Sequence, residues 1–429
     1  MKSRTLRIWL FLILSFLIFY GCEKLQEDFN EIDYKNPIKI GVVGDLANGR
    51  EVVENVFFGV KLAAEEINGS GGLTIDGIDH EIQLIFKDSG GDSKKGLMVI
   101  DELIDEDVQI IIGPTNSEVA VDMAAKCIEN NVLMMTYSAS VPILSGLSDN
   151  DLIWRTCPSD AFSGNIMAKF ATDTLQIRRA AILYRDDKFG QGMRDVIQEK
   201  FRLLNAEIVA TAGFPTENTD LYRYDFTPHL NLLLTKQPQI IFTVIFEPES
   251  GKITQDLWSL DLYQQGEKKP FLFLTEGGFL KELETNGQPE VVESIMGISS
   301  SITNTPNYIA FKNIYSDKFG FNPITYAEHA YDALYSIVYA MQRGQSSDPL
   351  FIKQNIRLVT GGIGSDIKAV IVNVNEFTRA KILLQSEVEI NYEGASGSLS
   401  FDQNGDPKSK FVIWKIEDGD YKEISILER

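Results

Sequence analysis

The sequence is poor in histidine, in cysteine and in positive charge. Its 429 residues include three histidines and three cysteines, and 61 acidic residues outnumber 40 basic ones, giving a net charge of −21. His80, His229 and His329 are far apart and show no metal-ligand spacing. We therefore expect no histidine-based metal site and no bound cofactor. The acidic balance also disfavours nucleic acid and anionic membrane surfaces as partners, because both require a basic face.

Motifs for catalysis and for phosphate binding are also missing from the sequence. There is no G-x-x-x-x-G-K-S/T loop, and the glycine-rich segment 69–72 follows a predicted helix instead of leading a strand into one. The acidic segment 402–406 lacks the remaining ligands of a calcium loop, so we interpret it as a hairpin turn. Since no nucleophile–base pair stands out, an enzyme is not expected.

The only long apolar run lies at the amino terminus and is typical of an export signal. Its head carries three basic residues, Lys2, Arg4 and Arg7. The apolar core, 8–20, is short for a membrane span and ends at a Gly-Cys pair, so 1–21 is predicted to be a signal peptide. The junction resembles a bacterial lipobox, which makes Cys22 the expected lipid-bearing residue. A plain signal peptide and an uncleaved anchor are the alternatives. The polar, acidic segment 22–37 is predicted to be a tether.

Two cysteines, Cys127 and Cys157, remain beyond the signal. Export would permit a disulfide between them. However, Cys127 falls on the apolar face of a predicted helix, and nothing in the sequence brings it to Cys157. The pattern favours buried free thiols over a disulfide.

Strands and helices alternate along most of the chain, most clearly around residues 110–142. The apolar run at 110–112 predicts a strand, the segment 117–130 a helix, and 132–136 a second strand followed by a small polar loop. Such alternation is typical of parallel sheets covered by helices on both faces. Because there are too many strands for one open sheet, we predict an α/β fold with two doubly wound parallel-sheet lobes.

Polar residues follow several of the predicted strands, at Ser117, Ser138, Ser140, Asp160 and Glu276. The carboxyl ends of parallel strands share one edge of the sheet, where ligands bind. A helix that begins at Ser117 also offers backbone N–H groups and a dipole to a carboxylate. Each residue has a structural alternative, since Ser117 and Asp160 could be helix caps and the others ordinary loop polars. Together they indicate a site for a small solute that carries an anionic group.

A set of short motifs covers the chain from residue 38 onward. In chain order they are Ile38–Gly44, Ala64-Glu65-Glu66-Ile67-Asn68, Ile112-Gly113-Pro114 with Ser117, Ser138-Ala139-Ser140 with Pro142, Arg155-Thr156 with Pro158-Ser159-Asp160, Phe189-Gly190-Gln191-Gly192, Tyr331-Asp332-Ala333, and Phe401-Asp402 with Asn404-Gly405-Asp406. In this order they resemble the periplasmic solute-binding proteins of the leucine/isoleucine/valine-binding family, also called the type I periplasmic-binding fold. The segment 362–392 matches least.

The resemblance implies two lobes joined by a three-strand hinge that closes on a ligand. The expected first lobe comprises 38–159 and 302–392, and the second comprises 160–301 and 393–429. Each lobe is thus expected to consist of two separate segments of the chain.

The resemblance also implies a set of ligand-binding residues: Ser117, Ser138, Ala139, Ser140, Asp160, Phe189, Phe246 and Glu276. In amino-acid-binding members the serines and the loop backbone hold the α-carboxylate, while Ser140 and the two acids meet the ammonium group. The two phenylalanines would wall the pocket.

Two features depart from the pattern. Relatives often carry tyrosine where this chain has Phe189 and Phe246, so two hydroxyl donors are lost. The loop after the first strand, with Asp45 and Arg50, is unlike the usual sequence and would make its side of the pocket more polar.

The resemblance implies a monomeric, extracytoplasmic binding protein, anchored to a membrane by its lipid. It would pass a small amino-acid-like ligand to the membrane permease of an ABC importer. The alternative is a ligand-sensing, receptor-type module that works with a separate signalling partner. An enzyme on this fold would need a nucleophile–base pair, and no histidine falls among the matched positions.

Overall fold

The computed structural model describes residues 34–216, 219–266, 269–275, 281–300, 305–366 and 368–428. The predicted signal peptide, Cys22 and most of the predicted tether therefore lie outside the described residues, as does Glu276. The described chain divides into two compact units. Unit 1 comprises 34–140, 144–157 and 305–408, and unit 2 comprises 141–143, 158–300 and 409–428.

The chain begins in unit 1 with alternating strands and helices. These are β1 (Ile38–Gly44), α1 (Leu46–Gly69), β2 (Leu73–Ile75), β3 (Ile78–His80), β4 (Ile82–Asp88), α2 (Ser93–Asp105), β5 (Ile110–Ile112), α3 (Ser117–Glu129), β6 (Leu133–Thr136) and β7 (Ile153–Arg155). The strand–helix–strand prediction for residues 110–136 is confirmed by β5, α3 and β6.

The middle of the chain builds unit 2 by the same alternation. Its elements are α4 (Asp160–Lys169), β8 (Arg179–Arg185), α5 (Lys188–Leu203), β9 (Glu207–Phe214), α6 (Thr227–Leu234), β10 (Ile240–Val244), α7 (Glu247–Ser259), α8 (Asp261–Gln264), β11 (Phe271–Leu274), α9 (Lys281–Asn286), α10 (Pro289–Val292) and β12 (Met296–Ser300).

The last part of the chain contributes to both units. Unit 1 gains α11 (Pro306–Phe319), α12 (Ala327–Gly344), α13 (Pro349–Val359), β13 (Val370–Val372), α14 (Phe377–Gln385), β14 (Ile390–Gly394) and β15 (Gly397–Ser398). Unit 2 gains β16 (Lys410–Glu417) and β17 (Asp420–Glu428).

Unit 1 is built on a five-stranded parallel sheet in the order β4-β1-β5-β6-β7. The order reverses direction between β1 and β5, where Val42 lies opposite Ile112. This is a doubly wound sheet, and its crevice for ligands lies outside the carboxyl ends of β1 and β5. The expected α/β lobe is confirmed for this unit.

Unit 2 repeats this order, with two antiparallel strands added at one edge. Its seven-stranded sheet runs β17-β16-β12-β11-β10-β8-β9, and the strands from β12 to β9 are parallel. The order reverses between β8 and β10, where Tyr184 lies opposite Val244. Alternate residues of β8 enter different cores, since Leu183 packs on one face of the sheet and Ile182 on the other.

The core of unit 1 is centred on α12, which is buried from Ala327 to Gln342. It packs on α1 so closely that a Cβ added at Gly59 would lie 2.3 Å from the Ala327 carbonyl oxygen. Tyr331 and Tyr335 each donate a hydrogen bond of 2.6 Å to Glu66 of α1. α12 is buried on all sides although it carries polar residues such as Glu328, His329 and Asp332.

Two sequence-based assignments near the carboxyl terminus differ from the structure. Residues 393–408 group with unit 1, not with the second lobe, because β14 pairs with β13 and the Phe401 ring packs on Trp154 at 5.3 Å. The turn at 402–406 is not a hairpin, because β16 after it pairs with β12 and β17. Asp402 instead closes the turn by accepting the N–H groups of Asn404 and Asp406.

Both described cysteines, Cys127 and Cys157, are free and buried, which confirms the preference for thiols over a disulfide. Burial raises the pKa of the Cys127 thiol well above its usual value, so this group is neutral in the fold. None of the helices in the described part of the chain combines the length and the apolar character needed to cross a membrane.

Candidate functional site

The strand orders identify one crevice on each unit. In a doubly wound sheet, ligands bind outside the carboxyl ends of the strands where the order reverses. In unit 1 these ends are followed by Asp45, after β1, and by Thr115 and Ser117, after β5. In unit 2 they are followed by Phe189 at the start of α5 and by Phe246 after β10. Three of the residues implied by the resemblance, Ser117, Phe189 and Phe246, therefore follow the strands at which the order reverses.

In unit 1, hydrogen bonds tie the loop after β6 to the loop after β5. The Thr136 hydroxyl donates to the Pro114 carbonyl at 3.0 Å, and the Ser138 hydroxyl donates to the Thr115 carbonyl at 2.9 Å. The Tyr137 hydroxyl donates to the Val43 carbonyl at 2.9 Å. The two loops thus form one fixed polar surface at the end of the sheet.

The helix cap of α3 is Asn116, whereas the sequence suggested that Ser117 could cap it. The Asn116 side chain accepts the N–H groups of Glu118 at 2.8 Å and Val119 at 3.2 Å. Two of the helix N–H groups expected to face a carboxylate are therefore already bonded. Because Ser117 is the first helical residue and half-buried, its N–H and hydroxyl are the groups that α3 can offer a ligand.

The hydrogen bonds also change what Ser138 and Ala139 can contribute. The Ser138 hydroxyl proton is used on the Thr115 carbonyl, and the Ala139 N–H donates to the Thr136 hydroxyl oxygen at 3.0 Å. Ser138 can therefore accept a hydrogen bond from a ligand but cannot also donate its hydroxyl proton. Ser140, half-buried at the end of the same loop, lies next to this surface.

Asp45 adds an acid to the unit 1 crevice and is 5% exposed. Burial raises the pKa of the Tyr137 hydroxyl above its ordinary value, and the negative charge of Asp45 raises it further. Asp45 and Tyr137 therefore interact electrostatically beside the loops after β5 and β6. The sequence identified Asp45 only as a departure from the family pattern.

In unit 2, Asp160 is the first residue of α4 and is 7% exposed. The cap of this helix is Ser159, which accepts the Ala161 N–H at 3.3 Å, so the structure excludes the alternative that Asp160 is the cap. A buried carboxylate at a helix start is favoured by the helix dipole. Glu276, the other expected acid, follows Thr275 at the end of β11 and lies outside the described residues.

The two phenylalanines of unit 2 are in contact with each other. The rings of Phe189 and Phe246 stack with centroids 4.8 Å apart and an interplanar angle of 16°. Phe189 is 7% exposed and Phe246 is 38% exposed. They form a single apolar surface beside the point where the strand order reverses.

Sequence reasoning missed a charged group behind this surface. Arg185, the last residue of β8, pairs with Asp187 at 2.9 Å and with the fully buried Glu249. Burial raises the pKa of the Glu249 carboxyl, and the charge of Arg185 opposes that change. The capping-box position of Glu249, three residues after Phe246, is the sequence signal that could have identified it.

Two doubly wound units with polar groups at one crevice and stacked rings at the other are typical of a small-molecule-binding protein. Within the described ranges, no group of three or more His, Cys, Asp or Glu residues could hold a metal ion. Residues 58–419 match the family described as the receptor family ligand binding region. The chain belongs to this family.

Known relatives agree with this assignment. The Leu/Ile/Val-binding protein homolog 2 of Brucella abortus is 25% identical over 340 residues, which cover 77% of this chain and 86% of that protein. The branched-chain amino acid transporter substrate-binding protein LivJ of Streptococcus pneumoniae, solved with isoleucine, has a TM-score of 0.68 and 21% identity, covering 92% of this chain and all of that chain. A solute-binding protein of an ABC transporter from R. palustris, solved with benzoate, has a TM-score of 0.67 and 14% identity, covering 91% and 96%.

Proposed function

We propose that this chain is the extracytoplasmic solute-binding protein of an ABC importer and that it takes an amino acid or a similar small carboxylate. The observation that carries the proposal is that both units repeat one doubly wound order and present binding groups at the reversal of that order. The protein would deliver the ligand to a membrane permease. Binding rather than catalysis is the role supported by the names of the relatives.

The groups of unit 1 suit a carboxylate. Ser117 can donate its N–H and hydroxyl from the start of α3, and Ser140 lies at the end of the polar loop. The positive end of the α3 dipole adds to this preference. Asp160 of unit 2, together with Glu276, would meet an ammonium group, since a cation between carboxylates is strongly favoured.

A thermal-shift screen tests the proposal. The chain without residues 1–21 is heated with amino acids, their amides and small carboxylates, including benzoate. A true ligand raises the melting temperature because it binds only the folded state, and at one hundred times its Kd it adds about 2.7 kcal/mol to the free energy of unfolding. The proposal is wrong if no member of the panel shifts the melting temperature and calorimetry detects no binding.

We also propose that Cys22 carries a lipid that anchors the protein to a membrane. The lipobox resemblance at Gly21-Cys22 supports this, and the residues lie outside those described. Incorporation of labelled fatty acid into the full chain should disappear in Cys22→Ala and persist in Cys157→Ser. Equal labelling of both variants would exclude this anchor.

A further inference from the structure

The position of Arg185 suggests that it binds the ligand, but its contacts indicate a different role. It is the last residue of β8, at the reversal of the unit 2 sheet, and an arginine at such a strand end suggests recognition of an anionic group on the ligand. Its side chain is only 12% exposed. The role of Arg185 therefore depends on the residues that its side chain contacts.

The first partner is Asp187, which connects Arg185 to the start of α5. One oxygen of Asp187 accepts the Arg185 Nε–H at 2.9 Å. The other accepts the Gly190 N–H at 2.9 Å and so caps the helix. Phe189 lies in this first turn, between the cap and Gly190.

The second partner is Glu249, which connects Arg185 to the start of α7. One oxygen of Glu249 accepts a hydrogen bond from the Arg185 guanidinium. The other accepts the Phe246 N–H at 3.1 Å. Glu249 is completely buried, so its position is determined by these bonds and by packing.

The guanidinium also contacts the Phe246 ring directly. Its central carbon lies 4.4 Å from the ring centroid, within the range of a cation–π contact. Arg185 thus interacts with both helix starts that carry a phenylalanine and with one of the two rings. Since one cation faces two carboxyl groups, no positive charge is left over for a ligand.

We propose that Arg185 is a positioning residue that, through Asp187 and Glu249, holds Phe246 stacked on Phe189 as an apolar wall for an aromatic side chain. This inference rests on the proposed function and makes it more specific. Aromatic rings prefer stacked or edge-on contact with other rings, so an aromatic amino acid or aryl carboxylate gains most from this wall. A dicarboxylate gains nothing, because its second carboxylate would meet two acids and a neutralised arginine.

Calorimetric titration with L-phenylalanine, benzoate, L-leucine and L-glutamate tests the inference. The wild-type chain should bind the aromatic compounds most tightly and glutamate least. In Arg185→Met the ratio of phenylalanine to leucine affinity should fall about three- to tenfold, because the ring loses its support. Arg185→Lys should restore part of the ratio, since it keeps the charge but not the planar fork.

The matched control is Arg194→Met. Arg194 lies over the Tyr184 ring at 4.9 Å and pairs with Asp195 in the same unit, so its loss removes a similar contact elsewhere. This variant should keep the wild-type affinity ratio. If Arg185→Met does not fold, Glu249→Gln reports the same ratio with the buried volume preserved.

The outcomes separate the two proposals. If no compound binds, the proposed function fails and the inference fails with it. If compounds bind but glutamate is preferred, or the ratio is unchanged in Arg185→Met and Glu249→Gln, only the role of Arg185 is overturned. A reduced ratio in the Arg185 variants with an unchanged ratio in Arg194→Met supports it.

Discussion

His329 shows how burial sets the charge of a single residue. Its side chain is 3% exposed, and its Nδ1 lies 2.9 Å from the Thr156 carbonyl oxygen. Burial lowers the pKa of the His329 imidazole to about 4, although the hydrogen bond to Thr156 opposes the change. Glu328 faces the other ring nitrogen at 3.8 Å. The folded state therefore favours the neutral form of the His329 imidazole.

Acid should destabilise the protein through this residue. Because the folded pKa is below the unfolded value of about 6.5, the contribution is complete above pH ~6.5 and is lost as pH falls towards 4. Urea unfolding at pH 7 and pH 4.5 should show that His329→Gln loses about 2 kcal/mol less than the wild type does. His80→Gln, with a half-buried ring, serves as control. An identical loss in the wild type and His329→Gln would contradict this account.

Arg155 and Asp406 form a buried ion pair. Both side chains are 2% exposed, and the Arg155 Nε lies 2.5 Å from an Asp406 oxygen. The other oxygen of Asp406 accepts the Ser145 hydroxyl at 2.8 Å. The pair joins residues 251 positions apart in the sequence.

Removing the acid should be costly because the guanidinium stays buried. In Asp406→Ala the free energy of unfolding should fall by about 3–5 kcal/mol, measured by denaturant titration. The comparison is Glu207→Ala, which breaks the exposed pair with Arg179 and should cost less than about 1 kcal/mol. Equal losses in the two variants would show that burial does not control the strength of these pairs.

At the level of helices and strands, the sequence predicts the elements that follow from local hydrophobic periodicity. It does not predict contacts between residues that are far apart in the chain. The buried run Ile110–Ile112 and the helix after it are recognisable because their periodicity is local. The alternative that Ser117 and Asp160 are helix caps is one residue late in each case, because Asn116 and Ser159 are equally good caps and only geometry distinguishes them.

The residues of the candidate site also divide into those that the sequence predicts and those that it does not. The serines and phenylalanines are recognisable from motifs at strand ends. The Arg185–Glu249 pair is not, because 64 residues separate the partners and the capping-box position of Glu249 does not indicate Arg185 as its partner. The antiparallel pairing of β16 with β12 likewise cannot be predicted from the local sequence pattern. The prediction of a hairpin at 402–406 is wrong for this reason.

Gly113, between β5 and α3, lies close against the backbone of β1 at the unit 1 crevice. Its φ of 115° belongs to a region that side chains disfavour, and an added Cβ would lie 2.2 Å from the Val43 carbonyl oxygen. Gly113→Ala should lower the free energy of unfolding by about 2 kcal/mol or more. Gly146→Ala, where a Cβ meets open space, should change it little. Thermal unfolding of both variants checks this, and equal melting temperatures would refute it.

At the level of the whole molecule, the two units supply different chemistry. Unit 1 offers hydroxyl and N–H groups at the start of α3, and unit 2 offers a buried acid and stacked rings. The net charge of −21 makes selective recognition of a carboxylate depend on such local donors, because the overall field repels anions.

The proposed ligand-binding residues include Ser140 in unit 1 and Asp160 in unit 2, and loss of either side chain should weaken binding. We expect Ser140→Ala and Asp160→Asn each to raise the Kd of the ligand found in the screen by a factor corresponding to about 2 kcal/mol, because a charged group of the ligand loses its partner. Ser386→Ala, an exposed serine on the end of α14, is the control. Calorimetry decides this, and wild-type affinity in both variants would remove these residues from the site.

The way the chain is shared between units has a consequence for how the protein assembles. A chain that emerges amino terminus first exposes 34–157 long before α12, which fills the middle of that unit's interior. All five strands of the unit 1 sheet are made by residue 155, but the residues of α12 that pack in the same core come much later in the chain. The apolar strands of residues 34–157 therefore remain partly uncovered until α12 has emerged. Chaperones that shield nascent chains would be needed most during that interval.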